Sequence, residues 1–248
     1  MTNISRAKNL NIGALIFPRM DQIDFTGPFE VLSRVPDSSF HVIWKDKTPV
    51  RDVKGLLLTP EITFSEAPQL DVLVIPGGYG QEDLMDDETV LSFVREQAAH
   101  AKYIYSVCTG ALICGAAGLL RNIHSTTHWA SFHLLPYFGA IPVNSRVVVD
   151  GRHVSAAGVT AGIDGALKLA SLLCGDLAAQ QIQLSLEYAP EPPFESGTPA
   201  TAPAEVLKAA QEEVREITAA RLATAIRTGR RLGIDVERLA RETVPAKQ

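Results

Sequence analysis

Cysteine is scarce in this chain, and the spacing of its three cysteines argues against a disulfide-stapled fold. Cys108, Cys114 and Cys174 cannot all pair within one chain, and no two of them form a Cys-x-x-Cys motif. Free thiols of this kind are typical of a reducing compartment. We therefore expect a cytoplasmic protein with free thiols.

Long apolar runs and an excess of positive charge are also missing. No segment approaches the roughly 20 apolar residues of a membrane span, and the apolar run near the start is too short for a convincing signal peptide. The 23 basic and 28 acidic side chains give a formal net charge of −5. We therefore expect neither a membrane nor a nucleic-acid partner.

Histidines with the spacing of metal ligands are absent as well. His124, His133 and His153 are scattered along the chain, whereas metal sites place their ligands at short, recurring spacings. The sequence therefore predicts no metal site. The hydrophobic content of 46% instead indicates a globular protein with a substantial apolar core.

What the chain does contain is an alternation of strand-like and helix-like segments. Residues 71–75 are almost wholly apolar, which is typical of a strand covered on both faces, and Asp150-Gly151 is a strong hairpin signal. The alternation predicts a doubly wound α/β fold with a mostly parallel sheet. Further strands are predicted at 10–17, 40–44, 103–107, 146–149 and 153–156, an interrupted hairpin at 53–63, and helices at 87–101, 109–120, 129–135, 158–174 and 176–186.

Residues 19–28 are predicted to form a polar loop that ends in Gly-Pro. A short helix over 29–35 follows, with Thr26 as a candidate N-cap and Pro28 near the first turn. Asp24 would then be a loop carboxylate, and Asp21 is expected to face solvent.

The C-terminal part of the chain has a different character. Five prolines between residues 187 and 203 predict an extended surface strap, and one long helix is predicted over 204–231. That helix would cap the domain or contact a second subunit. Its predicted apolar stripe consists of Val206, Ala210, Val214 and Ile217. The expected units are a single α/β domain at 8–188, a Pro-rich strap at 189–203 and a helical extension at 204–248.

Cys108 lies where a strand-like run meets a helical run, and this position favours a reactive thiol. The first N–H groups and the partial positive charge of a helix that opens at Thr109-Gly110 would stabilise a thiolate. The sharp turn would also direct the side chain out of the packed layers, as in a nucleophile elbow. The alternative is a small buried cysteine that packs like an alanine, which is the role expected for Cys114 and Cys174.

Two other candidate segments also follow predicted strands, namely the loop at 21–24 and the pair Gly77-Gly78. In doubly wound sheets, ligands bind beyond the carboxyl ends of the strands. We therefore expect these segments to share one pocket with Cys108. Gly77-Gly78 either forms only a turn or also donates backbone hydrogen bonds to the site.

With these residues placed, the chain resembles the DJ-1/PfpI superfamily over about residues 10–188. The motifs that carry the resemblance are DVLVIPGGYG, YSVCTGALICGAAGLL, STTHWA and GVTAGIDGALKLA. Within that superfamily the chain is most similar to the isonitrile hydratases. This closer likeness depends on QIDFTGPFEVL, on SVCTGALICGAAGLL followed by TTHWA, and on the strap LSLEYAPEPPFESGTPATAP.

The resemblance implies a flavodoxin-like fold, a homodimer and a cofactor-free enzyme. It implies that Cys108 is the nucleophile and Asp24 the acid/base group, with Thr109 and the backbone of Gly78 bordering the site. It also implies that the backbone carbonyl of Val159 approaches the thiol. The protease-like branch has a histidine directly after the cysteine, whereas this chain has Thr109, which argues against peptidase activity.

The reaction implied by the resemblance is the hydration of an isonitrile, R–N≡C, to an N-substituted formamide through a cysteine thioimidate. The pocket for the R group is expected to be apolar, with Trp129, Phe25 and Val159 as its walls. His128 is either a base or a structural residue near a helix start. Asp24 is alternatively a surface or capping carboxylate.

Other functions that would use the Cys108 thiol are also compatible with the sequence. One is a glyoxalase-like hydration of a dicarbonyl, and another is a non-catalytic redox-sensing or ligand-binding domain. A transcription factor would need a DNA-binding module, but only about 60 residues follow Tyr188, and they are mostly strap and helix. The basic run at 227–231 is short, and a solvated helix end explains it.

Overall fold

The computed structural model describes residues 9–243. Residues 1–8 and 244–248 lie outside the described residues. The first residue of the predicted α/β domain, Lys8, and the last five residues of the predicted extension are therefore not described.

A seven-stranded sheet forms the centre of the molecule, with the strand order β10-β11-β7-β6-β1-β2-β5. Every neighbouring pair is parallel except the β10–β11 hairpin. The strands are β1 (Leu10–Leu15), β2 (Ser38–Trp44), β3 (Val50–Arg51), β4 (Leu57–Leu58), β5 (Ile62–Thr63), β6 (Val72–Ile75), β7 (Tyr103–Val107), β8 (His124–Ser125), β9 (Ile141–Pro142), β10 (Val147–Asp150) and β11 (His153–Ala156).

Helices flank this sheet, so the predicted mostly parallel α/β architecture is confirmed. Helices α1 and α5 pack on each other, and α4 and α8 both pack on a 3-10 helix at Trp129–Phe138. All four residues of β6 are buried, as expected of a strand covered on both faces. The α-helices are α1 (Gln22–Leu32), α2 (Gln81–Leu84), α3 (Glu88–His100), α4 (Gly110–Ala116), α5 (Ala161–Cys174), α6 (Asp176–Ser185), α7 (Ala204–Glu213), α8 (Arg215–Arg231) and α9 (Val236–Thr243).

The predicted loop at 19–28 is wrong, because most of it belongs to α1. The side chain of Asp21 caps this helix by accepting a hydrogen bond from the Ile23 amide at 3.3 Å, so Asp21 is half-buried rather than solvated, and Thr26 is not the cap. Pro28 lies inside the helix. Asp24 is therefore held in the first helical turn, where its side chain is fully buried.

The single long helix predicted over 204–231 is also wrong, because it is broken at Val214 into α7 and α8. No residue of α7 is buried, and Val206 of the predicted stripe is exposed. Helix α8 instead buries a face that includes charged and small residues, among them Arg221, Ala225 and Gly229. This face packs on the 3-10 helix.

The crossover that matters for ligand binding lies between β1 and β6. From β1 the chain moves to β2 on one side and later returns to β6 on the other. The segments after β1 and β6 therefore diverge at this point and leave a crevice beyond the strand ends. Within residues 9–243, no helix is long and apolar enough to cross a membrane.

Candidate active site

Cys108 occupies a strained turn between β7 and α4. Its φ is +54°, which is uncommon for a residue with a side chain. Two hydrogen bonds hold this conformation: the Cys108 amide donates to the Ala156 carbonyl at 3.0 Å, and its carbonyl accepts from the Thr127 hydroxyl at 2.7 Å. Strained backbone of this kind is retained where neighbouring structure enforces it, often at functional sites.

The carboxyl group of Asp24 is buried next to this turn. Its Oδ2 accepts a hydrogen bond from the Gly77 amide at 3.0 Å, whereas its Oδ1 makes no hydrogen bond of ordinary geometry within the described residues. Burial, together with the charge of Asp21, raises the pKa of Asp24 to about 8, although the Gly77 amide and the Cys108 thiol act against this increase. Asp24 is therefore a buried acid that holds its proton near neutral pH.

Cys108 is buried, with only 6% of the residue exposed. Burial raises its pKa well above the usual value, and the negative charge of Asp24 raises it further. The Thr109 amide, through a hydrogen bond, and the charge of Arg221 both lower it. Protonation of Asp24 removes its repulsion, so the two groups favour a state in which Asp24 holds the proton.

Thr109 and Gly78 lock the turn after β6 to the turn after β7. The Gly78 amide donates to the Thr109 hydroxyl oxygen at 3.1 Å, and that hydroxyl lies 3.3 Å from the Gly78 carbonyl oxygen. Gly78 has a φ of +119°, and a side chain there would meet the backbone of Met20 and Asp21. Since the amides of Gly77 and Gly78 already bind Asp24 and Thr109, this turn supports the site and does not offer free donors.

A cavity of about 680 Å³ lies beside Thr127, the residue that binds the Cys108 carbonyl. Val159 and Trp129, two of the predicted pocket walls, line it, and so does His128. The strap closes one side of the cavity. The other residues that line the cavity include Phe132 of the 3-10 helix, Arg146, Ala157, Gly158 and the strap residues Gly197, Thr198, Pro199 and Ala200.

One of the predicted pocket contacts is placed differently. Phe25 is not among the cavity-lining residues, because its ring packs against Phe29 and Phe40 in the core. The Val159 carbonyl accepts the Gly162 amide at 3.2 Å where α5 begins, and its approach to the thiol stays a prediction.

His128 stands at the start of the 3-10 helix and caps it. Its Nδ1 accepts a hydrogen bond from the Ala130 amide at 3.4 Å, which assigns the proton of the neutral ring to Nε2. Burial and the charge of Arg221 lower the pKa of His128 to about 4. The imidazole is therefore neutral near pH 7, so it would be a hydrogen-bond donor and not a cation beside the cavity.

Sequence reasoning missed one charged residue of this site, Arg221 of α8. Its guanidinium donates to the Gly78 carbonyl at 2.8 Å and to the Ser131 hydroxyl at 3.4 Å. It is 3% exposed. The only available signal was an arginine on the apolar side of a helical pattern, which a search for apolar stripes ignores.

The remaining cysteines and histidines do not join the site. Cys114 is buried in α4, where burial raises the pKa of its thiol to about 12, and Cys174 lies half-buried at the end of α5. In the part of the chain that the structure describes, no three His, Cys, Asp or Glu side chains are grouped so that they could hold a metal ion.

Comparison with known proteins agrees with this architecture. The model of the DJ-1/PfpI family matches residues 11–172. An isonitrile hydratase of Pseudomonas putida is 54% identical over 203 residues, which are 82% of this chain and 89% of that protein. A ThiJ/PfpI family protein from Pseudomonas syringae has a similar crystal structure, with a TM-score of 0.86, 40% identity, and coverage of 88% of this chain and 90% of that one.

A more distant relative shows the same fold. Drosophila melanogaster DJ-1beta matches 73% of this chain and all of its own, with a TM-score of 0.67 and 20% identity. The family model covers more than half of the chain, including the strands and turns that carry Cys108 and Gly78. The chain belongs to the DJ-1/PfpI family.

Proposed function

We propose that this protein hydrates isonitriles to N-substituted formamides, with Cys108 as nucleophile and Asp24 as the acid/base group. The observation that carries the proposal is the buried pairing of these two side chains at the strand ends, where burial raises the pKa of Asp24 to about 8. The similarity to an isonitrile hydratase over most of both chains supports this choice of substrate.

The first step forms a thioimidate. The Cys108 thiolate attacks the terminal carbon of R–N≡C, and this carbon takes the proton of Asp24, which gives Cys–S–CH=N–R and an Asp24 carboxylate. An acid with a pKa near the working pH is suited to this transfer, because it is protonated before the step and a useful base after it.

The second step consumes water. The Asp24 carboxylate accepts a proton from the attacking water and passes it to the nitrogen, which gives Cys–S–CH(OH)–NH–R. Asp24 then accepts the hydroxyl proton while the C–S bond breaks, so the formamide leaves and the thiolate and the Asp24 acid are regenerated. No metal ion or organic cofactor takes part in this sequence.

The cavity beside Thr127 is the proposed pocket for the R group. Trp129, Phe132 and Val159 give it apolar walls, and its volume of about 680 Å³ is ample for a cyclic or aryl substituent. The neutral His128 at its edge could donate a hydrogen bond from Nε2 to the substrate nitrogen.

The test is formamide production from cyclohexyl isonitrile by the wild type, Cys108→Ala and Asp24→Asn. Both variants should lose turnover. Cys174→Ala is the matched thiol control and Asp83→Asn, at an exposed position, the matched carboxylate control, and both should keep it. Turnover that survives Cys108→Ala would contradict the nucleophile assignment.

A wild type that lacks turnover, but whose Cys108 still reacts with thiol reagents, would contradict the isonitrile proposal. It would favour the alternatives that use the same thiol, namely glyoxalase-like hydration of a dicarbonyl or redox sensing.

We also propose a cytoplasmic homodimer without nucleic-acid or membrane partners. The net charge of −5 supports the absence of a nucleic-acid partner. Leu177 and Leu184 of α6 are 71% and 81% exposed and lie seven residues apart, on one face of the helix. Such an apolar face supports contact with a second copy, and Leu184→Glu should then lower the mass measured by light scattering.

A further inference from the structure

Arg221 reaches the site from outside the segment that the family model covers. It belongs to α8, whereas the model ends at residue 172. Its hydrogen bond to the Gly78 carbonyl places the guanidinium behind the turn that binds Thr109. Thr109 follows Cys108 in the chain, and the charge of Arg221 acts on the Cys108 thiol.

This buried cation has no carboxylate in contact with it within residues 9–243. The two acceptors of Arg221 are the neutral oxygens of Gly78 and Ser131, and its Nε makes no hydrogen bond. The nearby Glu82 is hydrogen-bonded to Thr224 instead. A buried charge without a counter-charge is costly, so an anion that forms nearby would be stabilised.

We propose that Arg221 is a positioning residue that supplies the positive charge for the Cys108 thiolate. In this step the S–H bond of Cys108 breaks, its proton is released to solvent water, and the electron pair stays on sulfur, while Asp24 keeps the proton that it holds near neutral pH. A negative charge thereby forms on Cys108, and Arg221 faces an anion. Burial raises the pKa of the Cys108 thiol, and the charge of Arg221 partly offsets this increase. Burial lowers the pKa of Arg221, and the negative charge of the Cys108 thiolate partly offsets that decrease.

The other charged groups of the site determine how strongly Arg221 stabilises the Cys108 thiolate. The Asp24 and Asp21 carboxylates act against the thiolate, and the Thr109 amide and Arg221 act for it. Because His128 is neutral near pH 7, it adds no positive charge. Within the described residues, the guanidinium of Arg221 is then the only positive side chain that acts on the sulfur. The titratable and charged groups that face Cys108 or Arg221 are Asp24 and Asp21 at α1, His128 before the 3-10 helix, and Tyr79 and Glu82 at α2.

The test measures the alkylation of Cys108 by iodoacetamide as a function of pH, with Cys108→Ala as background. Arg221→Gln keeps an N–H donor for Gly78 but removes the charge, Arg221→Met removes both, and Arg221→Lys keeps the charge. Arg221→Gln and Arg221→Met should slow alkylation at pH 7 at least about tenfold and raise the midpoint of the thiol titration by about one pH unit or more. Arg221→Lys should stay near the wild type.

Arg227→Met is the matched control, because Arg227 lies on the same helix but is exposed and paired with Asp86. It should leave the profile unchanged. A folded Arg221→Gln with the wild-type midpoint would overturn the proposal, since a purely structural arginine would change stability without moving the thiol titration.

A second measurement needs only the wild type. An adjacent cation accelerates an anionic reagent, so the ratio of the iodoacetate rate to the iodoacetamide rate at Cys108 should exceed the ratio for free cysteine. A lower ratio would contradict the proposal even if the Arg221 variants do not fold. The inference uses the nucleophile of the proposed function but no isonitrile, so a wrong substrate assignment would leave both readouts intact.

Discussion

The hydroxyl group of Thr127 donates a hydrogen bond of 2.7 Å to the carbonyl oxygen of Cys108. This contact joins the segment before the 3-10 helix to the turn that carries Cys108. Both residues are buried, so water cannot replace the bond. Thr127 therefore helps to hold the positive φ of Cys108.

Thr127→Val should destabilise the fold by about 1–3 kcal/mol, because it leaves a buried carbonyl without a donor while the shape of the side chain is kept. Thr127→Ser is the control, since it retains the hydroxyl. Urea unfolding measures the difference. Equal stability of the Val and Ser variants would show that the bond contributes nothing.

Gly78→Ala should prevent folding or cost more than about 3 kcal/mol, because its methyl group would meet backbone atoms of Met20 and Asp21 as close as 2.2 Å. Gly55 has a similar φ of +101° but open space around it, so Gly55→Ala should cost only about 1–2 kcal/mol of conformational strain. Thermal unfolding of the two variants separates strain from collision. Comparable losses would mean that the turn relaxes around the methyl group.

Asp24 should make the fold less stable as the pH rises. Its pKa is about 8 in the folded state, against 3.8 as the ordinary value. Between these values the unfolded chain releases the proton and the folded chain keeps it, so the free energy of unfolding falls by on the order of 1 kcal/mol per pH unit and levels off above about pH 8.

Asp24→Asn removes this titration. Urea unfolding from pH 5 to 9 should show a wild-type stability that falls relative to the variant, and Asp24→Asn should be the more stable protein at pH 9. Parallel curves would mean that Asp24 ionises normally. Exposed Asp83→Asn serves as the control and should run parallel to the wild type.

The strap should set the size of the accepted substrate. Ala200 lines the cavity, so Ala200→Trp should lower kcat/KM for cyclohexyl isonitrile at least about tenfold and affect methyl isonitrile less. Ala189 lies exposed on the same strap outside the cavity, and Ala189→Trp should change neither value. An equal loss for both substrates would indicate a general defect instead of a filled pocket.

The sequence predicted correctly those parts of the fold that have a strong local signal. The apolar run that became β6, the strand-to-helix turn at Cys108 and the Asp150-Gly151 hairpin all have local signals that agree with the tertiary structure. The hydrogen bonds between Asp24 and Gly77 and between Thr109 and Gly78 fit segments that meet beyond the ends of neighbouring parallel strands.

The errors arose where tertiary contacts overrode those local signals. Gly27 and Pro28 indicate a loop, yet both are buried inside α1, because Asp21 caps the helix and α5 covers it. In α8 the buried face includes Arg221, whose partners lie far away in the chain. A helical period does not reveal such a residue, because Arg221 is buried by contacts with residues that are distant in the sequence.

The position of α8 in the chain has a consequence for synthesis. Cys108, Asp24 and the whole sheet leave the ribosome before this helix, and chains fold from the N-terminus as they emerge. If Arg221 activates the thiol as proposed, the growing chain carries Cys108 as a less reactive thiol. Its sulfur would reach full reactivity only once α8 docks, which would reduce the exposure of an unfinished polypeptide to electrophiles.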